Sequence, residues 1–353
     1  MIISLFGINH KTAPIEIREK FYLNGLQQEL LLTELKLQPK VSEAFVLSTC
    51  NRTEVYLHSF APLQTEDIVK MIVNVKSLVY QQSLMAFFYT YYNQDAVEHL
   101  LRVSCGLDSL VIGEKQIQGQ VKEALALAQE KNFFMQPFNL LANIAIKAGK
   151  RARHETDIDC GGSSISWAAI TKAREVLGYL REKKALIIVA GEMSKLAVGQ
   201  IARKGFKELF LMNRTHEHAI ALADSYKGRA VPFCDIKEIL AQVDFCICSS
   251  SAPHFILDFE TVKKIIPLRV NQQLLVIDIS MPRNIDPKVA QLKSVDLFSI
   301  DDLDSVVEKN MIKRQKDVAK VKDIIQHKLD DFYSKIDGLS MDNHVFAKES
   351  LRL

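Results

Sequence analysis

The sequence has no CxxC pair and no cluster of histidines, so a zinc site is rejected at the outset. No stretch is long and apolar enough to cross a bilayer. The opening MIISLFGINHKTAP carries no basic region ahead of its short apolar run, which argues against a secretory leader. A polybasic tail, internal repeats and low-complexity segments are also missing, so any contact with nucleic acid has to be local. The cysteines at 50, 105, 160, 234, 246 and 248 have no paired spacing, which fits a reducing, cytoplasmic setting. Cys246 and Cys248 alternate in VDFCICSS as buried strand residues do.

What remains is an ordinary globular composition, 48% hydrophobic and 25% charged. A chain of 353 residues exceeds what one core usually serves, so two or three domains are expected. The net charge of +3 permits a polyanionic partner without demanding one.

The first ninety-odd residues read as strand ISLFGIN, helix GLQQELLLTELKL, strands EAFVLST and TEVYLHS, helix TEDIVKMIVNVKSLVYQQ and strand LMAFFYTYY. That β-α-β-β-α-β order is the ferredoxin-like pattern. Helical text runs from about Asp95 to Arg153, interrupted by Gly113 and Pro137, and TDIDCGGSS (156–164) reads as a boundary. Strands KALIIVA, KELFLMN, GRAVPF, VDFCICSS and QLLVIDIS then alternate with helices, which predicts a parallel, doubly wound sheet. From Asp301 to about Ile336 one long charged helix is expected. Leu303, Val306, Val307, Met311, Val318, Val321, Ile325, Leu329 and Phe332 form a narrow apolar stripe along it.

The junction LSTCNRTEVYL (47–57) sets Cys50, Asn51 and Arg52 between two strands with no Gly or Pro to make the turn. A free thiol is mostly protonated at neutral pH, so a nucleophilic cysteine needs positive charge nearby, and Arg52 offers one that cannot be lost. Its guanidinium also suits bidentate capture of a carboxylate. From spacing alone, a buried cysteine beside an unrelated surface arginine is the commoner outcome. His99 lies just off the stripe of Val97, Leu100, Leu101 and Leu107, where a structural histidine is the usual reading. Ser109, Gln116 and Gln120 recur at helical spacing, and a continuous helix would align them on one face.

GINHKTAPIEIREK (7–20), STCNRTEVY (48–56), GLDSLVIGEKQIQGQVKEA (106–124) and GKRARHETDI (149–158) together resemble glutamyl-tRNA reductase. AGEMSKL (190–196), NRT (213–215) and VIDISMPRNIDP (276–287) are similar to the same family. The resemblance implies that Cys50 attacks the aminoacyl ester of glutamyl-tRNA, giving a thioester that NADPH reduces to glutamate-1-semialdehyde. This is the first step of five-carbon tetrapyrrole synthesis. It marks His99 as critical for activity, and Thr49, Cys50, Asn51, Arg52, Ser109, Glu114, Lys115, Gln116 and Gln120 as substrate-binding. Hand-over of product to glutamate-1-semialdehyde aminomutase is implied as well. Two alternatives remain open: a regulatory, tRNA-binding relative that does not reduce, and a hydrolase that releases glutamate.

For the cofactor, strand, turn and helix at 184–200 suit a pyrophosphate. The G-x-G-x-x-G register falls on Val189, Gly191 and Ser194, so valine replaces the first glycine. The candidate contacts are Val189, Ala190, Gly191, Glu192, Met193 and Ser194, with Asn213, Arg214 and Thr215 after the next strand. With no acid among the last three, Arg214 favours a 2′-phosphate and hence NADPH.

Lys147, Lys150, Arg151, Arg153 and His154 crowd one helix end, as the helix dipole favours and as tRNA phosphates would also require. The expected division is a catalytic, substrate-recognition domain at 1–155, a Rossmann-type NADPH domain at 156–300, and the long helix with a shortened dimerisation region at 301–353. The family's homodimer is accordingly placed in doubt.

Overall fold

The computed structural model describes residues 2–160, 164–189, 198–199, 201–202, 205–250, 252–269, 273–303, 306 and 315–349. Two compact units emerge, residues 1–163 together with 311–353, and residues 164–310.

The first unit opens with β1 (Ile2–Asn9), α1 (Ile15–Phe21), α2 (Gly25–Lys36), β2 (Val41–Ser48), β3 (Arg52–Ser59), α3 (Thr65–Val75) and β4 (Tyr89–Tyr92). Its antiparallel sheet has the order β2-β3-β1-β4, the ferredoxin-like arrangement. Helices α2 and α5 (Gln116–Glu130) both pack on β2, and all eight residues of β3 are buried. The last expected strand is shorter than LMAFFYTYY. Gln82–Phe87 forms a 3-10 segment with no buried residue, its apolar side chains only partly covered by the core.

The helical text of 95–153 resolves into α4 (Gln94–Ser104), α5 and α6 (Gln136–Glu155). Pro137 sits in the first turn of α6, where its missing N–H breaks no helical bond. Gly113 lies in the loop between α4 and α5 at φ 78°, and a Cβ there would stand 1.8 Å from the Ile158 carbonyl oxygen. This position requires glycine. The break also removes Ser109 from the helix of Gln116 and Gln120, so the expected single polar face does not exist.

The second unit contains α7 (Ile165–Leu177), β5 (Lys184–Val189), β6 (Glu208–Asn213), α8 (His216–Tyr226), β7 (Arg229–Ala230), α9 (Ile236–Gln242), β8 (Phe245–Ser249), α10 (Phe259–Ile265), β9 (Leu274–Asp278) and β10 (Val295–Ser299). All six strands are parallel in the order β10-β9-β8-β5-β6-β7, which is the Rossmann order with its reversal between β5 and β8. Cys246 and Cys248 are fully buried in β8, as their alternation indicated. GRAVPF reduces to two paired residues. Strand β10 was not legible in the sequence, because as an edge strand it buries only Val295 and shows little patterning.

The long helix α11 (Gln315–Glu349) belongs to the first unit and is not a separate third segment. Val321, Ile325, Leu329, Phe332 and Ile336 are buried in the core of that unit, and the helix packs on α4 and α6. Their spacing of four, four, three and four keeps them on one face. This part of the stripe is therefore used inside its own unit and is not the seam of a dimer. Val307 and Met311 lie outside the described residues. Phe332→Ala is expected to destabilise the first unit by about 3–5 kcal/mol. Denaturant unfolding followed by circular dichroism measures this.

Candidate active site

The hairpin turn between β2 and β3 is closed by its own polar residues. Thr49 N donates to the Arg52 carbonyl at 2.7 Å, and Asn51 N donates to Thr49 Oγ1 at 3.2 Å. Arg18 of α1, itself buried, donates from Nη1 to the Cys50 carbonyl at 2.9 Å and from Nε to Ala13 O at 3.1 Å. Cys50 is thereby held half-buried at the tip of the turn.

Beneath it lies a buried charge network. Arg52 Nη1 donates to Glu54 Oε1 at 2.7 Å and to Asp108 Oδ2 at 3.0 Å, and Nη2 donates to the Asp108 carbonyl. Glu54 is wholly buried and also accepts from Tyr56 Oη (2.7 Å), Tyr89 Oη (2.6 Å) and His99 Nε2 (2.8 Å). Burial alone would raise the Glu54 carboxyl, but the Arg52 charge, His99 and the hydrogen bonds outweigh it and hold Glu54 well below the usual range. An ionised carboxylate only accepts, so Nε2 of His99 carries the hydrogen. Asp108 responds in the same way: burial raises it, while Arg52, His99 and Lys11 lower it further.

Gly7 makes this network possible. It pairs with Glu54 on one side and Tyr89 on the other, and a Cβ on Gly7 would lie 2.7 Å from the Tyr89 ring. Across the same ladder Asn9 pairs with Arg52. Asn9 Oδ1 accepts from the Lys11 and Thr12 amides, an Asx turn that brings His10 N within 3.0 Å of the Asn51 carbonyl.

The α4–α5 loop closes the site. Ser109 and Glu114 are buried there, and Ser109 Oγ has no hydrogen-bond partner. Burial pushes Glu114 up to about 7, against the pull of Arg52. Cys50 is raised to about 12, first by burial and then by the Glu114 charge, while Arg18 and Arg52 act to lower it. The cation expected to activate the thiol acts in the right direction but is outweighed.

The expected residues thus divide. Thr49, Cys50, Asn51, Arg52, His99, Ser109 and Glu114 gather around the turn. Gln116 and Gln120 are half-buried on α5, and exposed Lys115 pairs with Asp159 at 3.3 Å. Arg153 is not a surface cation, since it donates to the carbonyls of Ser104, Gly149 and Glu114. Sequence reasoning missed Arg18, Glu54, Tyr89 and Asp108. Only Glu54 left a signal, since opposite charges two apart on a strand share a face.

In the second unit Val189 ends β5 in extended conformation, paired with Asn213 and Ser249. The strand therefore runs through the first fingerprint position and no turn begins at the valine. Asn213 Oδ1 accepts from Thr215 N at 2.9 Å, and Arg214 is exposed at the carboxyl end of β6. Ala190, Gly191, Glu192, Met193 and Ser194 lie outside the described residues. Buried Asp278 accepts from the amides of Ser280, Asn284 and Ile285 at 3.0, 2.8 and 2.9 Å, fixing the loop after β9. Among the described residues no His/Cys/Asp/Glu group is placed to hold a metal, and no helix is long and apolar enough to cross a membrane.

Alkylation of Cys50 should be slow near neutrality and accelerate with pH toward about 12. Glu114→Gln removes a facing negative charge, so its profile shifts to lower pH, as iodoacetamide kinetics would show. Because the folded value of Glu114 lies above the ordinary 4.5, the associated stability is present below that pH and is lost as pH rises through about 7. The glutamine variant escapes that loss, a gain on the order of 3 kcal/mol at pH 8 and near zero below pH 4.5. Unfolding titrations at the two pH values decide it.

Comparison with known proteins identifies the family of the chain. Residues 6–156 match the family described as "Glutamyl-tRNAGlu reductase, N-terminal domain", and 171–306 match "Shikimate / quinate 5-dehydrogenase". The chain is 36% identical over 346 residues to the glutamyl-tRNA reductase of Thermodesulfovibrio yellowstonii, covering 96% of this chain and 81% of that one. It is 39% identical over 332 residues to that of Carboxydothermus hydrogenoformans, covering 94% and 74%. Among solved structures, glutamyl-tRNA reductase from Methanopyrus kandleri matches at 30% identity with a TM-score of 0.50, covering 96% of this chain and 81% of that one. With identity sustained across nearly its whole length, the chain belongs to the glutamyl-tRNA reductase family.

Proposed function

We propose that this chain reduces the glutamyl group of glutamyl-tRNA to glutamate-1-semialdehyde through a thioester on Cys50, the first step of tetrapyrrole synthesis. The observation that carries this reading is a set of buried polar atoms without partners around the thiol: Asn51 Oδ1, Arg52 Nε and Ser109 Oγ. Each orphaned polar group costs on the order of 1–3 kcal/mol, so several together indicate a site completed by a polar ligand.

Arg52 is the anchor for the substrate side chain. Its outer end is engaged by Asp108 and Glu54, which leaves Nε and the second hydrogen of Nη2, parallel donors suited to a carboxylate. His99 acts through Glu54, keeping that guanidinium in place, and is a positioning residue. The resting thiol is protonated and needs an acceptor, and Glu114, titrating near 7, is poised to be one. The Cys50 proton passes to Glu114, sulfur bonds to the acyl carbon, and the ester C–O bond breaks as the ribosyl oxygen takes the proton. Thr49, Gln116 and Gln120 complete the substrate-binding wall.

The first unit carries acyl transfer and the second carries the cofactor. The Rossmann order and the dehydrogenase match support a nicotinamide cofactor, and exposed Arg214, with no acid in Asn213–Thr215, fits the 2′-phosphate of NADPH. When bound, NADPH supplies the hydride that takes the acyl group to the aldehyde. Exposed Lys147, Lys150 and Arg151, one face of α6, suit the tRNA backbone. The family resemblance implies hand-over of the aldehyde to an aminomutase.

Cys50→Ser should abolish reduction, since an alcohol is a far poorer nucleophile than a thiolate. Incubated with radiolabelled glutamyl-tRNA without NADPH, the native protein should retain label and the variant none. Full activity in the serine variant rules out the thioester route. Arg214→Ala is expected to weaken NADPH binding by about 10- to 100-fold while leaving NADH almost unchanged, because a charge-assisted bond contributes roughly 1.5–3 kcal/mol. Fluorescence titration with both nucleotides reads the difference.

A further inference from the structure

Among the described residues, His10 lies beside the Cys50 turn and is used by neither the network nor the proposed chemistry. We infer that the His10 imidazole is a further substrate-contacting group of this site, donating a hydrogen bond from Nδ1 to the acyl oxygen as the thiol attacks. The inference rests on the reading of Cys50 as acyl acceptor and deepens it.

Its position is fixed by backbone. The pairing of Asn9 with Arg52 and the 3.0 Å bond from His10 N to the Asn51 carbonyl set the residue directly beside the nucleophile's turn. The Asx turn at Asn9 holds it there from the other side. The ring is only half-buried, yet its Nδ1 is sealed from solvent and has no hydrogen-bond partner, like the orphaned atoms of Asn51, Arg52 and Ser109. A structural histidine buried to this degree ordinarily satisfies that nitrogen.

The charge state agrees with a donor and not with a base. Burial, then Arg52 and Lys11, and finally Arg18 push the ring down to about 4, with only Asp108 opposing. A base that weak cannot accept a proton from a thiol near 12, so proton removal stays with Glu114. A neutral imidazole held beside cations is instead suited to polarise a carbonyl, and it needs no reorganisation as negative charge develops on the oxygen. No proton is transferred to or from His10.

Asparagine and glutamine substitutions place an amide near the Nδ1 and Nε2 positions respectively. Single-turnover acylation of Cys50 by radiolabelled glutamyl-tRNA, without NADPH, is compared in the native protein, His10→Asn, His10→Gln and His10→Ala. The acylation rate should fall roughly 100-fold in the glutamine and alanine variants and be largely restored in the asparagine variant, with substrate Kd unchanged in all of them. Equal rates in every variant, an asparagine variant no better than alanine, or a loss confined to Kd would overturn the assignment. If alanine prevents folding, asparagine against glutamine still decides. A native protein that takes no label on Cys50 removes the thioester reading itself, a result distinct from variants that acylate normally.

Discussion

Everything at the Cys50 turn depends on one buried carboxylate. Glu54 is inaccessible to water and accepts four hydrogen bonds, from Arg52, Tyr56, Tyr89 and His99, which lie on three different elements. A lone charge in that position would be expensive, and so would the Arg52 guanidinium beside it. Together, with Asp108 as the second anion, they are mutually compensated and rigid. The arginine is thereby presented in a fixed orientation with one edge left for a ligand. This geometry also explains why β1 carries a glycine: without Gly7 the Tyr89 ring could not cross the strand to reach the carboxylate.

The Cys50 thiol is not activated by its surroundings. Burial and the Glu114 charge keep the thiol protonated despite two arginines nearby. Such a cysteine is inert to casual electrophiles and oxidants. Beside it, Arg52 Nε and Ser109 Oγ remain without partners, so the polar groups around the turn are not self-satisfied.

Much of the fold could be read from the sequence, since β2 and β3 alternate, β5, β6, β8 and β9 are continuous apolar runs, and the helices carry their own period. Elements that bury little were misjudged: β10 on a sheet edge, and the 3-10 segment before β4, whose apolar run looked like strand. The site was partly legible. The cysteine turn stood out because a nucleophile and an arginine occupied a place where Gly or Pro is usual. Asp108 did not, and Glu54 left only its spacing from Arg52, because a charged residue in an alternating strand or a polar loop normally reads as facing solvent. The sequence does not reveal that β3 is covered on both faces. Nor does spacing say that burial would outweigh Arg52 at the thiol, since that balance depends on three-dimensional depth.

The placement of the long helix has a consequence for how the protein is made. Val321 to Ile336 complete a core whose other members end at Ile158, and the whole second unit is synthesised between them. A chain emerging at about 5–20 residues per second leaves that core without its last helix for on the order of ten to thirty seconds. During that interval the apolar faces of α4 and α6 are uncovered, while the Rossmann unit, continuous in sequence, has all it needs to fold. The first unit, whose translation begins ahead of the second, is therefore the last to be finished. Its nascent form is the state most exposed to aggregation and to chaperone capture.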